Sequence, residues 1–252
     1  MEIRLTEEGR HIAVITIDNQ PRRNAMTREM IFELARLWDE LEISDHRCIV
    51  VTGAGHKAFS SGADLGGDLS ASEELAAKIN RGLLKTDAFP KPILAAVNGD
   101  CVAGGLELML STDVRFASPN AMFGLPEVRW SIYPFGGSTT KLVAQIGYVH
   151  AAELLLGAEL ISAEEAAKID LINRVVSECN LMSETLRLAD LIASNSPPAV
   201  QAVKQQLSET QAKLVRSREA AEQALGDKVR ESPQFKEGVA AFLEKRQPNY
   251  TC

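Results

Sequence analysis

No uncharged apolar run in the chain approaches the roughly 18 residues needed to cross a bilayer, so the sequence predicts no membrane span. The start lacks the cationic stretch and apolar core of an export signal, because Met1 to Arg10 already holds Glu2, Arg4, Glu7, Glu8 and Arg10. A cytoplasmic protein is the expectation. Cysteine is scarce: Cys48, Cys101, Cys179 and Cys252 lie far apart with no CxxC pair, which excludes a disulfide-stapled module and predicts reduced thiols. Cys48 and Cys101 stand in apolar runs and read as small buried hydrophobes, with no neighbouring histidine to make either a nucleophile. The four histidines show no metal-ligand spacing, so no metal site is expected. Positive charge is in deficit, 27 basic against 34 acidic residues, which argues against broad attraction to nucleic acid or anionic membranes. An anionic ligand would need a local basic site.

What is present is an ordinary globular composition, 45% apolar and 24% charged, in a chain long enough for one large domain or a domain with a helical appendage. Ile12 to Ile17 is short, β-branched and followed by a turn-like Asp18-Asn19-Gln20-Pro21, which predicts a strand. Between Thr27 and about Ile43, Met30, Ile31, Leu34, Leu37, Trp38 and Leu41 recur at helical spacing. Cys48 to Val51 and Pro92 to Val97 are continuous apolar runs, as expected of strands in a parallel sheet with helices over both faces. After about Gly137 the pattern turns helical: Ser162 with Glu165 forms a capping box, and Ser196-Pro197 and Ser232-Pro233 place proline just inside a helix. The polar stretch from Gln201 to Arg230 carries Val203, Leu207, Ala212 and Leu214 at helical spacing and needs another subunit or the core to pack on. No repeat of fixed period is present.

Two glycine-bearing loops each follow a predicted core strand, one from Val51 to Leu65 and one from Val97 to Glu107. Strand ends in layered α/β proteins are where ligands bind. Neither loop matches GxGxxG or GxxxxGK[ST], which weakens a nucleotide reading. If Gly104-Gly105 opens a helix, its free N–H groups favour negative charge, and amides of Ala63 and Gly104 together would grip an oxyanion. Equally, the glycines serve only tight turns and close packing. Glu107 lies between Val102-Ala103-Gly104-Gly105-Leu106 and Leu108-Met109-Leu110, where a carboxylate is costly to bury without a partner or a purpose. Glu127 has similar company in Met122 to Val128. Two carboxyl groups in unlike environments divide acid and base duties, provided they face each other, which spacing alone leaves open.

Taken together, these residues resemble the crotonase (enoyl-CoA hydratase/isomerase) superfamily over essentially the whole chain. The carriers are Asn19 to Ala25, Phe59 to Leu65, Asn98-Gly99 through Gly104 to Glu107, Phe123 to Glu127, and the ending Glu237 to Arg246. The resemblance implies an α/β fold: a crotonase-like spiral of ββα units over 1–195 and a helical C-terminal trimerisation region over 196–252. It implies Ala63 and Gly104 as backbone oxyanion-hole donors. Glu107 would mainly activate the water added at Cβ, with Glu127 supplying the proton at Cα. Coenzyme A contacts are implied for Arg22, Arg23, Ala25, Ala58, Ser61, Gly62, Ala63, Asp64 and Leu65, with Phe242 and Lys245 approaching from the C-terminal region. For Arg22 and Arg23 a solvated turn is the plainer alternative. Trp130, Tyr133, Pro134 and Phe135 depart from the common hydratase pattern and read as acyl-pocket residues, or as ordinary core or interface aromatics.

The implied activity is water addition to a 2-enoyl-CoA thioester in fatty acid or related acyl-CoA metabolism. No cofactor is needed beyond the coenzyme A of the substrate, and the implied assembly is a homotrimer or dimer of trimers. An isomerase, or a dehydratase of a substituted acyl-CoA, would use the same oxyanion hole. A silent acyl-CoA or RNA-binding scaffold is a different class. For RNA the stretch from Ala212 to Arg230 offers Lys213, Arg216, Arg218, Lys228 and Arg230 interleaved with Glu219, Glu222 and Asp227, rather than a lysine-rich face.

Overall fold

The computed structural model describes residues 1–64 and 73–250, so Leu65 and Cys252 lie outside the described residues. It opens with a strand that the apolar pattern did not announce. β1 (Glu2–Glu8), mostly exposed, pairs antiparallel with β2 (Ile12–Asp18) across a turn at Gly9. An edge strand facing water needs no apolar run, so its acidic sequence hid it. A 3-10 turn (Gln20–Arg22) and β3 (Met26–Thr27) lead into α1 (Arg28–Ile43), where the Thr27 side chain accepts from Met30 N and the spaced apolar residues are buried as predicted. Then come β4 (Cys48–Gly53), β5 (Ala58–Ser60), β6 (Ala63–Asp64) and α2 (Glu73–Gly82). They are followed by β7 (Ile93–Val97), β8 (Asp100–Val102), α3 (Gly104–Met109), β9 (Val114–Ala117) and β10 (Met122–Gly124).

Beyond a second 3-10 turn (Pro126–Trp130) the chain is mainly helical, as expected: α4 (Ser138–Ile146), α5 (Tyr148–Gly157), α6 (Ala163–Lys168) and α7 (Glu178–Ser194). Two-residue strands β11 (Ile161–Ser162) and β12 (Arg174–Val175) interrupt them, and the Ser162–Glu165 capping box is formed. The polar stretch is helical but not continuous. It divides at Ser217-Arg218 into α8 (Pro197–Arg216) and α9 (Glu219–Arg230), and α10 (Pro233–Glu244) follows. α8 packs back on the core: Lys204 pairs with Asp113 at 2.6 Å, Ser208 donates to Phe89 O and Arg216 to Thr86 O. Among the described residues no helix is long and apolar enough to cross a membrane.

The main sheet has the order β1-β2-β4-β7-β9-β12, parallel throughout except for the β1 edge. A helix lies on each face as expected, but on one of them a second sheet, which the sequence did not announce, shares the cover. Ile12, Val14, Cys48, Val50, Leu94, Ala96 and Phe116 meet Leu181, Ala189 and Ala193 of α7. The alternate residues Ile15, Ile17, Ile49, Val51, Ile93 and Val97 meet α1 together with Phe59, Cys101 and Phe123 of a second sheet, β11-β10-β8-β5. Cys48 and Cys101 are fully buried, and burial pushes the Cys48 thiol up to about 12, so both act as small hydrophobes. The layered second sheet sets up the site, because β5, β8 and β10 run parallel side by side. The three segments that follow them therefore emerge at one edge.

Candidate active site

Those three segments carry Gly62-Ala63, Ala103 to Glu107, and Glu127. After β5, Met26 N donates to Gly62 O at 2.8 Å. No peptide in the described chain is cis, so the N–H of that same unit, belonging to Ala63, points away from β3. After β8, Glu107 N donates to Ala103 O at 3.0 Å, which turns the Gly104 N–H out of the start of α3. The two amides face one another's segment closely: a Cβ on Gly62 would lie 3.1 Å from Gly104 N, and one on Gly104 would lie 3.2 Å from Ala63 N. Between them Ala103 adopts φ 51 and ψ −128, a sparsely populated conformation for a residue with a side chain, of the kind that persists where its surroundings over-determine it. Gly105 fits the plainer packing reading, since a Cβ there would run into Ser60 O.

Two buried asparagines hold this edge. Asn24 accepts from Asn19 N through Oδ1 and donates to Ala54 O and Ala58 O. Asn98 accepts from Gly53 N and donates to Gly55 O and Ala58 O. Ser60 Oγ donates to Asn24 O and accepts from Gly62 N, tying the oxyanion loop to the turn of Arg22 and Arg23.

Glu107, in the first turn of α3, is 7% exposed, and its burial is compensated by a residue the sequence did not single out. Lys85 Nζ lies 2.9 Å from Oε2, with both side chains under a tenth exposed. Ser138 Oγ lies 3.3 Å from Oε1 but also 2.8 Å from Phe135 O; its single proton favours the shorter bond, so Lys85 is the main partner. Glu127 differs. Its Oε2 is buried without a hydrogen-bond partner, and burial, then the charge of Glu107, pushes its carboxyl up to about 8. The two buried carboxyl groups thus lie within electrostatic reach of one another.

Around them lie further charges. Lys141 Nζ donates to Leu84 O and Ser111 Oγ, and burial pushes its ammonium down to about 7. Glu222 of α9 accepts from Gly136 N at 2.6 Å and from Gly137 N, ahead of α4; burial raises its carboxyl against those amide bonds. Lys85, Ser138, Lys141 and Glu222 all escaped the sequence reading. A lysine after a helix and a glutamate in a polar helix carry no local mark of burial.

Arg22 pairs with Asp64 at 2.8 Å and Arg23 with Asp100 at 3.3 Å, both guanidinium groups remaining largely exposed beside the loop. Ala58 and Gly62 are buried, Ala25 and Ser61 partly so, and Ala63 is exposed. Phe242 packs edge-on against Trp130 at 5.4 Å, and Lys245 caps α10; among the described residues no hydrogen bond or ring contact joins either to Arg22, Arg23 or 58–64. Tyr133 meets Phe135 edge-on, Pro134 is buried, and the Phe135 ring lies under Arg230 and against Gly226 of α9. Trp130 and Phe135 are thus the aromatics on which the C-terminal helices sit.

A sequence profile of the family described as Enoyl-CoA hydratase/isomerase matches residues 7–252. The chain is 38% identical to Enoyl-CoA hydratase EchA19 of Mycobacterium tuberculosis, over 98% of this chain and 95% of the relative. It is 34% identical to a Crotonyl-CoA hydratase of Syntrophomonas wolfei, over 98% and 96%. A crystal structure of carnitinyl-CoA hydratase from Mycobacterium avium superposes with a TM-score of 0.89 at 32% identity, covering 99% of this chain and 98% of that one.

Proposed function

The chain belongs to the enoyl-CoA hydratase/isomerase family, and within it we infer an enoyl-CoA hydratase, a hydro-lyase that adds water reversibly across the 2,3 double bond of a 2-enoyl-CoA thioester. The roles are supported by two buried, unlike carboxyl groups within electrostatic reach of one another, on segments that leave β8 and β10 beside the loop of Gly62 and Ala63. The thioester oxygen sits between the N–H groups of Ala63 and Gly104, which stabilise the enolate as it forms; one such donor is typically worth ~3 kcal/mol of barrier. Glu107 takes a proton from water as the oxygen bonds to Cβ, and the π electrons move onto the thioester oxygen. Collapse of the enolate draws the proton of Glu127 to Cα. Proton exchange between the two carboxyls through solvent resets the pair.

The chemistry so written uses no metal or redox group, and coenzyme A enters as part of the substrate. Arg22 and Arg23, largely exposed although paired with Asp64 and Asp100, meet its phosphates by exchanging those carboxylate partners for phosphate oxygens. Of the aromatic segment, Tyr133 and Pro134 are the candidates to shape the acyl end, since Trp130 and Phe135 pack against α10 and α9. A homotrimer or dimer of trimers is supported by exposed apolar residues on two helices, Tyr148, Val149 and Leu156 on α5 and Val203, Leu207 and Leu214 on α8, which need cover from another subunit; the proposed location is the cytoplasm.

The test is incubation with crotonyl-CoA and loss of the conjugated enoyl absorbance. A panel of enoyl thioesters differing in length and β-substitution then fixes the acyl class, in fatty acid or related acyl-CoA metabolism. Isomerase action would instead move the double bond without adding oxygen. No turnover of any member at high enzyme concentration would overturn the hydratase reading.

A further inference from the structure

We propose that Lys85 is a positioning residue for hydration: its ammonium holds the Glu107 carboxylate in place, turned toward the attacking water, so that Glu107 rather than Glu127 serves as the base. This rests on the hydratase reading of the site.

Three features of the fold support it. First, Lys85 is delivered deliberately. Leu84 takes φ 48, a left-handed conformation that a leucine rarely adopts, and Lys85 N donates back to Asn80 O at 2.8 Å, so the chain turns sharply just beyond α2 and sends the side chain inward. Second, the path of that side chain is kept clear: a Cβ on Gly136 would collide with Lys85 Cδ, and Gly136 is held at φ 79 by Glu222 accepting from its amide. The lysine stem thus has a channel that only glycine leaves open. Third, the contact is selective. Nζ lies 2.9 Å from Glu107 Oε2, while Glu127 Oε2 is left without a hydrogen-bond partner.

Selectivity decides the chemistry. A base must be held in one orientation to take a proton from water, and a direct ammonium contact at 2.9 Å orients Glu107 where Glu127 has no such contact. Placing Lys85 on Glu107 makes that residue the base, and leaves the other glutamate to hold the proton that Cα requires. The remaining charges facing the pair do not take over this role. Lys141 of α4 is directed to Leu84 O and Ser111 Oγ, and Glu222 of α9 is directed to the amides of Gly136 and Gly137. Arg115, which faces Lys141, donates to Leu171 O, Thr112 O and Gln145 Oε1.

The experiment is steady-state kinetics on whichever enoyl-CoA the wild-type protein hydrates, with Lys85→Met, Lys85→Arg, Glu107→Gln and the Lys85→Met/Glu107→Gln double variant, each checked for folding by circular dichroism. Lys85→Met keeps the stem and removes the charge; kcat is expected to fall about 10- to 100-fold, within the range of a general base's contribution, with KM within threefold. Lys85→Arg keeps a cation and is expected to retain at least a tenth of wild-type kcat. In the Glu107→Gln background the methionine change is expected to cost less than twofold, because Lys85 acts through Glu107. Turnover by the wild type together with an unaffected Lys85→Met, an arginine variant as slow as the methionine one, or a full additional loss on top of Glu107→Gln would each overturn the role. An inert wild type would instead strike at the hydratase reading.

Discussion

Asn24 and Asn98, 74 positions apart in the sequence, both donate their Nδ2 to one carbonyl, Ala58 O, at 2.7 and 3.1 Å. Both lone pairs of that oxygen are used, and the strand that precedes the oxyanion loop is fixed from two sides. Each asparagine also accepts a backbone N–H, from Asn19 or Gly53.

Replacing either by alanine orphans buried groups and is expected to cost about 2–3 kcal/mol of stability in urea unfolding. The double variant is expected to lose more than the sum, by about 1 kcal/mol, because only then does Ala58 O lose its last side-chain donor. Strict additivity would show that the shared acceptor carries no coupling.

Gly62 adopts φ +104, and a Cβ there would lie 3.0 Å from Ala103 Cβ and 3.1 Å from Gly104 N. Gly62→Ala is therefore expected to spread the two amides and lower kcat/KM by about 10²- to 10³-fold, the loss typical of one oxyanion donor. Circular dichroism should remain that of the wild type. Wild-type kcat/KM in a folded Gly62→Ala protein would contradict the placement of the oxyanion hole.

Glu127, pushed up to about 8 against an ordinary value of 4.5, binds more protons folded than unfolded between those two values. Its contribution to stability is thus present below about 4.5 and is lost as pH rises through about 8. Glu127→Gln cannot ionise, so its urea midpoint should gain on the wild type's by a margin that grows from pH 5 to pH 8.5. The same carboxyl must carry its proton to deliver it, so kcat/KM for hydration should decline as pH rises through about 8, and Glu127→Gln should lose orders of magnitude in kcat. A hydration profile flat from pH 6 to 9.5 would contradict the acid role.

On α10, a Cβ at Gly238 would be driven into Trp130 O, the last residue of the 3-10 turn that bears Glu127. That acceptor is main chain and does not yield as a side-chain tip would, so Gly238→Ala is expected to cost about 1–3 kcal/mol and lower the midpoint of thermal unfolding by several degrees. Activity should fall below the melting transition as the turn shifts. An unchanged melting curve would mean that α10 is not seated there in solution.

Much of the positioning machinery could be read from the chain. The buried strands β2, β4 and β7 and the amphipathic α1 showed themselves because continuous apolar runs and three-four spacing are local patterns. Glu107 and Glu127 stood out as carboxylates among apolar neighbours. What local pattern could not convey was partnership. β1 needs no apolar run at its wet edge, and the break at Ser217-Arg218 carries neither glycine nor proline. Lys85 meets Glu107 only because the turn at Leu84, the glycine at 136 and the start of α3 arrive at one point from three parts of the chain. The pairing of Arg22 with Asp64 likewise joins two residues each expected to meet the ligand separately.

The carboxylate of Glu222 holds the amides of Gly136 and Gly137 from a helix that starts only at Glu219. A chain growing from the ribosome would hold both glutamates and both amides long before that residue was made. It would remain without the anchor that shapes the channel for Lys85. Competence therefore arrives late in synthesis, with the docking of the last helices, and a nascent or clipped chain ending near residue 216 should be inert toward thioesters although its sheets are complete.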